Sequence, residues 1–152
     1  MFPEHILLHF IISAVVGMAE SDLLALTKVI YGEARGEPYE GKVAVAHVVL
    51  NRARSNGTSI QAEASRAFQF EGYAAAGGMP ETGARADCER IASDVIAGRT
   101  SDPTHGSRHF CTVDYYPDWA AGKQPCAVIG RHKFFNNVQW NLQFCFSPYF
   151  DQ

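Results

Sequence analysis

The sequence predicts a small α+β domain that is mostly helical and carries a short β-hairpin. Apolar residues recur with helical spacing in the first part of the 152-residue chain, whereas the last part holds short strand-like runs separated by turns. Hydrophobic residues make up 47% and charged residues 19% of the sequence, so the chain can bury a core. Its length fits one domain, residues 1–152.

The N-terminal stretch at residues 6–19 is nearly all apolar and allows three interpretations. It is shorter than the roughly 20 residues that a transmembrane helix needs, so we expect no stable membrane span. It resembles a signal-peptide core, or a signal anchor, but Glu4 and His5 stand where such a segment carries positive charge. It could also reflect a start chosen too far upstream. We favour a helix that belongs to the folded domain.

The first clear helix is predicted to begin at Ser21, a good N-cap, and to end near Gly36, before Pro38. Its inward-facing positions turn from apolar to acidic toward the C-terminus: Leu23, Leu26, Ile30, Glu33 and Glu37. A carboxyl group on the inward face of a helix end is partly desolvated, and desolvation raises its pKa. The end of this helix is therefore the first candidate site.

Two further helices are predicted. Residues 43–50 (VAVAHVVL) are apolar almost all round, which fits either a buried strand or a buried helix. Their continuation into Asn51–Arg54 and the stop at residues 55–57 favour a helix, in which His47 is interpreted as a hydrogen-bonded core residue. Residues 84–95 place apolar and charged side chains on opposite faces, and Gly98 is a natural stop.

The remainder is predicted to be β-structure and loop. Residues 101–106 (SDPTHG) form a turn, 107–113 a strand, and 128–135 a candidate returning strand. The intervening loop at residues 114–125 carries three aromatic side chains that could stack on sugar rings or simply pack the loop: Tyr115, Tyr116 and Trp119.

Composition excludes several classes of site. The net charge of −3 argues against nucleic acid as a partner. The four cysteines have no C-x-x-C spacing and the six histidines no H-E-x-x-H motif, so we expect no metal and no cofactor. Cys111 and Cys126 flank the aromatic loop and are the more credible disulfide pair, whereas Cys88 is interpreted as a buried thiol on a helix.

The most informative stretch is residues 29–46 (VIYGEARGEPYEGKVAVA), followed by residues 49–52 (VLNR). It resembles the cell-wall hydrolase family typified by the spore-cortex-lytic enzymes, to which some phage endolysins are similar. Shorter matches lie at Gln69–Phe70, Pro117–Trp119 and residues 129–135 (IGRHKFF). The resemblance implies a lysozyme-like fold that cleaves the glycan strands of peptidoglycan. It suggests a small, monomeric phage or prophage endolysin that acts at the cell wall or in the periplasm.

The resemblance also implies roles for single residues. Glu33 is the expected catalytic acid, Gln69 falls in a family Gln-Phe motif, and His132 is expected to order the cleft. A small hydroxyl residue usually follows that motif, but here Glu71 does. The tyrosine-rich strand of the family appears as His109-Phe110, so a tyrosine of the loop could supply its hydroxyl. The aromatic residues expected to bind substrate are Tyr73, Phe110, Tyr115, Tyr116 and Trp119.

Two reaction types remain open. A hydrolase would need a second carboxylate, about 5 Å from the acid if retaining and about 6.5–9.5 Å if inverting. The candidates are Glu37, Glu71, Asp114 and Asp118. The resemblance favours a lytic transglycosylase instead, in which one glutamate is acid and then base and the substrate's 6-hydroxyl closes an anhydro ring. Glu37 is then expected to support the site, by orienting Glu33 or by pairing with an arginine such as Arg52.

Two other classes of function compete with a glycosidase. A peptidoglycan amidase or peptidase would require a metal or a Cys–His pair. A non-catalytic peptidoglycan-binding protein of the same fold would have no need of a carboxylate at Glu33. Peptidoglycan is the expected partner in every case.

Overall fold

The computed structural model describes residues 22–66, 70–75 and 78–136. Helix α1 covers residues 22–34, and its predicted cap at Ser21, like the apolar stretch 6–19, lies outside the described residues. The other elements, in chain order, are α2 (Tyr39–Asn56), α3 (Ile60–Ala64), α4 (Glu71–Ala75), α5 (Thr82–Ile96), β1 (His109–Thr112), a 3₁₀ turn (Asp118–Ala120), β2 (Ala127–Ile129) and β3 (His132–Phe135). Within the described residues, no helix has both the length and the apolar character needed to cross a membrane.

Helix α2 is the central element of the core. Its side chains from Val43 to Val49 are all buried, which explains why their pattern lacks a polar face. Gly57 ends the helix in the left-handed conformation, with φ of 63°, and its N–H bonds the last turn. The helical interpretation of this segment is confirmed. A 2.7 Å ion pair between Lys42 and Asp87 ties α2 to α5.

The sheet is small and antiparallel, with the strand order β1-β3-β2. The single returning strand expected over residues 128–135 is wrong, because two strands occupy this segment. Gly130, with φ of 58°, reverses the chain between them, and this positive φ ends β2. The expected pairing of the first strand with a returning strand is observed as β1–β3, and β2 forms a further hairpin with the other side of β3.

The two faces of the sheet have different environments because side chains alternate along each strand. Phe110 and Phe134 lie on the inner face, which packs on the helical core. The outer face carries Cys111 and Phe135, which pack with Trp119 from the loop at residues 114–125. The aromatic loop is thus fastened to the outer face, on the side of the sheet away from the helices.

The predicted disulfide between Cys111 and Cys126 is wrong. Cys111 is a free thiol whose Sγ donates to the Tyr115 carbonyl oxygen at 3.4 Å, whereas Cys126 is in a different disulfide. Cys111 lies on β1, and the Cys126 N–H donates to the Phe134 carbonyl from the opposite side of β3. Two strand spacings of about 4.8 Å separate them, which exceeds the roughly 7 Å limit for a bond. Cys88 is a buried free thiol, as predicted.

Candidate functional site

Glu33 lies in the last turn of α1, where its side chain is partly buried. Its Oε1 accepts a 2.7 Å hydrogen bond from the backbone N–H of Gly72, at the start of α4. Burial is the largest influence on this carboxyl group and raises its pKa. The Gly72 hydrogen bond lowers the pKa and the nearby charge of Glu71 raises it, with a net result above the ordinary value.

A contact between two glycines creates this geometry. A Cβ atom added to Gly32 would lie 2.0 Å from the Gly72 carbonyl oxygen, and one added to Gly72 would lie 2.5 Å from the Gly32 carbonyl carbon. The backbones of α1 and α4 therefore meet at a distance that only glycine permits. Because Glu33 follows Gly32 directly, this contact brings the Gly72 N–H to the carboxylate.

Glu37 contacts a different part of the molecule. Its Oε2 accepts a 2.9 Å hydrogen bond from the backbone N–H of Arg131, in the β2–β3 turn. A Cβ atom at Gly130 would lie 2.1 Å from the same oxygen, so a side chain there would displace the Glu37 carboxylate. Glu37 thus fastens the α1–α2 turn to the hairpin. The suggested pairing of Glu37 with Arg52 is wrong, because the Arg52 guanidinium pairs with Glu63.

Arg52 instead belongs to a buried cluster around Glu63, a residue that the sequence analysis missed. The Glu63 carboxylate is 0% exposed and lies 3.0 Å from the Arg52 Nε. The Asn56 amide donates to it at 2.9 Å, and Arg66 lies at 3.4 Å. The Arg52 guanidinium also lies 5.0 Å from the centroid of the Phe70 ring. This cluster joins α2, α3 and the segment that leads to Gly72.

His132 is buried on the inner face of the sheet, with its ring 5.2 Å from that of Phe110 in an edge-to-face arrangement. Burial lowers its pKa, an effect that the charge of Glu37 opposes and that of Arg131 reinforces. Burial therefore favours the neutral form of the ring. Its Nδ1 has no hydrogen-bond partner within the described part of the chain. His47 bonds Thr100 through Nε2 at 2.9 Å, in line with its interpretation as a core residue.

Of the three aromatic residues of the loop, two are exposed and one is packed against the sheet. The exposed fractions of Tyr115 and Tyr116 are 61% and 73%. Trp119 packs between His109 and Phe135, with ring centroids 5.4 Å away in both cases. The buried side chain of Lys133 contacts both exposed tyrosines. Its Nζ donates to the Tyr115 carbonyl at 3.0 Å and lies 3.2 Å from the centroid of the Tyr116 ring.

The remaining candidates are spread over the structure. Tyr73 and Phe110 are partly buried beside the helical core, and the Lys28 ammonium lies 5.5 Å from the centroid of the Tyr73 ring. Gln69 lies outside the described residues. Asp114 and Asp118 are exposed in the loop at residues 114–125. Among the described residues, no group of three or more His, Cys, Asp or Glu side chains could hold a metal ion.

Comparison with known proteins places the chain in a family. Residues 36–135 match the model of a family described as Cell Wall Hydrolase, and Glu33 lies just before this segment. A spore cortex-lytic enzyme of Bacillus subtilis is 32% identical over 121 residues, which is 78% of this chain and 38% of that protein. The enzyme of the same name from Halalkalibacterium halodurans is 31% identical over 79% of this chain and 36% of its own length. The chain thus spans little more than a third of these relatives.

Two solved structures share the fold. The catalytic domain of the Bacillus cereus SleB protein superposes with a TM-score of 0.62, at 28% identity, over 76% of this chain and 89% of that domain. The catalytic domain of the germination-specific lytic transglycosylase SleB from Bacillus anthracis gives the same TM-score at 30% identity, over 75% of this chain and 93% of that domain. The expected mostly helical α+β fold is confirmed. The family match and these similarities together establish that the chain belongs to the cell wall hydrolase family.

Proposed function

We propose that this protein cleaves the glycan strands of peptidoglycan as a lytic transglycosylase, with Glu33 as its single acid and base. The observation that carries the proposal is the environment of the Glu33 carboxyl group. It is partly buried, it has a raised pKa, and it is held by one backbone N–H. A carboxyl group whose pKa is raised by burial holds its proton more tightly and can deliver it to a leaving oxygen.

The reaction requires two proton transfers at Glu33. The protonated carboxyl gives its proton to the glycosidic oxygen while the bond from that oxygen to the anomeric carbon breaks. An oxocarbenium-like centre develops on the sugar. The Glu33 carboxylate then removes the proton of the sugar's own 6-hydroxyl, whose oxygen bonds to the anomeric carbon. The products are a 1,6-anhydro sugar and a free hydroxyl, Glu33 is protonated again, and no water is consumed.

The structural relatives support this reaction type. The neighbour from Bacillus anthracis is named a lytic transglycosylase, and the fold match covers 93% of its catalytic domain. Glu37, the nearest carboxylate in sequence, accepts a hydrogen bond from the β2–β3 turn, which suits a supporting role. Mass spectrometry of products from purified peptidoglycan tests the proposal, because an anhydro product and a hydrolysed product differ by one water. Reducing-end products alone would contradict it.

A retaining hydrolase with Glu71 as nucleophile is the rival that an observation favours. Among the described residues, Glu71 is the carboxylate whose charge acts on Glu33. A fluorosugar substrate would trap a covalent glycosyl-enzyme on Glu71 if this rival were correct. A protein that shows no adduct and releases anhydro products would support the single-glutamate mechanism.

Substrate binding is proposed for the exposed tyrosines. Tyr115 and Tyr116 present open aromatic surface beside the sheet, and Lys133 holds their loop in position. Trp119 is proposed to contribute from the same loop, where its ring packs against Phe135 on the outer face. Tyr73 and Phe110 are proposed to line the substrate path near Glu33, since Tyr73 follows Gly72 directly. Alanine at Tyr116 should raise KM severalfold with kcat unchanged, whereas alanine at the exposed Tyr39 of α2 provides a control.

A thiol peptidase is disfavoured. Burial raises the pKa of the two free thiols in the described part of the chain, Cys88 and Cys111, so neither is a ready thiolate nucleophile. The proposed setting is lysis of a bacterial wall, of the endolysin kind, at the wall or in the periplasm. Side-by-side digestion of vegetative sacculi and of spore cortex would show which peptidoglycan the protein prefers.

A further inference from the structure

The hydrogen bond between Gly72 and Glu33 distinguishes the two oxygens of the carboxyl group. A backbone N–H can only donate, so the oxygen that it contacts must act as an acceptor in either protonation state. In a protonated carboxyl group, the carbonyl oxygen is the natural acceptor and the other oxygen carries the hydrogen. In Glu33 the contacted oxygen is Oε1, at 2.7 Å from the Gly72 nitrogen.

We propose that Gly72 is a positioning residue that reserves Oε1 of Glu33 as an acceptor, so that Oε2 carries the proton delivered to the substrate. This proposal rests on the proposed role of Glu33 as the acid. In the reaction, the O–H bond of Oε2 breaks as the glycosidic oxygen gains its hydrogen. The same Oε2 then takes the proton of the 6-hydroxyl, while the bond from Gly72 to Oε1 persists throughout.

The glycine contact explains why a backbone donor can reach Glu33 at all. A Cβ atom at Gly72 would lie 2.8 Å from the Glu33 nitrogen and 2.5 Å from the Gly32 carbonyl carbon. Alanine at position 72 must therefore push α4 away from α1, which removes the donor. A displacement of about 1 Å at a reacting group can lower the rate on the order of 10²-fold.

The charged groups around Glu33 are few within the described ranges. Glu71 is the one whose charge acts on the carboxyl group. The other charged side chains of α1 and the turn after it have partners of their own: Asp22 with the Gln61 N–H, Lys28 with the Tyr73 ring, Arg35 with Glu81, and Glu37 with the Arg131 N–H. Two consecutive residues therefore shift the pKa of Glu33 in opposite directions: the Glu71 charge raises it and the Gly72 N–H lowers it.

The unmodified protein allows a direct test by NMR. The Gly72 amide resonance should titrate with the same midpoint as the Glu33 carboxyl carbon, and Glu33→Gln should abolish that inflection. A Gly72 amide without an inflection at the Glu33 midpoint would overturn the proposal, whatever the enzyme does. Lysis by the Glu33→Gln variant would instead refute the proposed function, so the two failures are distinguishable.

Two variants extend the test to catalysis. Gly72→Ala should lower kcat on the order of 10²-fold and raise the pKa of Glu33, because the lowering influence of the N–H is lost. Gly83→Ala in α5 is the matched control, since nothing lies within 4 Å of its added Cβ. Unchanged kcat and pKa in a folded Gly72→Ala variant would contradict the proposal. If that variant does not fold, the amide titration of the wild-type protein decides.

Glu71→Gln separates the positioning model from a nucleophile at Glu71. Removal of the Glu71 charge should lower the pKa of Glu33 and move the alkaline limb of the pH–rate profile to lower pH, with turnover retained in acid. Glu89→Gln, on an exposed position of α5, should leave the profile in place. Loss of turnover at every pH in Glu71→Gln would overturn the model in favour of the nucleophile.

Discussion

Glu63 and Glu33 are held in opposite kinds of environment. Glu63 is completely enclosed and is bonded by Arg52, Asn56 and Arg66. Glu33 is partly buried, receives one backbone N–H, and has a neighbouring negative charge at Glu71. An ionised carboxylate inside a protein needs compensating donors and cations, and Glu63 has them. No cation pairs with Glu33 among the described residues, and burial shifts its equilibrium toward the protonated form, which suits an acid rather than a structural anchor.

The largest expected effect comes from removing the acid. Glu33→Gln should reduce wall lysis by about 10²–10⁴-fold, since an amide cannot transfer the proton. The fold should be kept, because the Gln carbonyl oxygen can still accept from Gly72. Turbidity clearing of purified sacculi measures the loss, and far-UV circular dichroism checks the fold. Near-wild-type lysis would remove Glu33 from the mechanism.

The second effect is a loss of stability when Glu63 is replaced. Glu63→Gln should lower the free energy of unfolding by about 3–5 kcal/mol, because it leaves the buried Arg52 guanidinium without its anion. Urea denaturation measures this change, and Glu89→Gln serves as the exposed control. A Glu63→Gln protein as stable as wild type would mean that the cluster is no anchor. Activity per folded molecule should stay close to wild type.

The third effect is a change in how stability depends on pH. The pKa of Glu33 is raised in the folded protein, so its contribution to stability is complete in acid and is lost as the pH rises through the folded pKa. Glu33→Gln should therefore be more stable than wild type at neutral pH, and this advantage should vanish in acid. Denaturation at a series of pH values measures it. An advantage that grows toward low pH would contradict the raised pKa.

The smallest effect is expected at Glu37. Its carboxylate accepts one N–H from Arg131, and a glutamine oxygen can accept the same bond. Glu37→Gln should therefore retain measurable turnover, yield the same anhydro product, and change stability by no more than about 1 kcal/mol. Product analysis and urea denaturation give the two readouts. A complete loss of activity in a folded variant would assign Glu37 a direct part in the chemistry.

The sequence predicted well where the signal is local. The α1 stripe that leads to Glu33 and the helix over residues 84–95 follow from periodic spacing alone, and both are confirmed. The helical character of residues 43–54 followed from the stop signals after it, since a fully buried helix has no polar face. The short helices α3 and α4 were not predicted. They are too brief for periodicity, and contacts with the rest of the fold stabilise them.

The sequence by itself determined the three long helices, the family and the glutamate to test, because periodicity and a long motif are properties of neighbouring residues. Only the tertiary structure decided how that glutamate is held. Gly72 lies 39 residues after Glu33, and Glu63 lies 11 residues after Arg52, so no local pattern connects either pair. Strand order likewise separated Cys111 from Cys126, which only appear to flank a closed loop in the sequence. Proton affinity depends on burial and on donors from distant segments, and these exist only once the chain has packed.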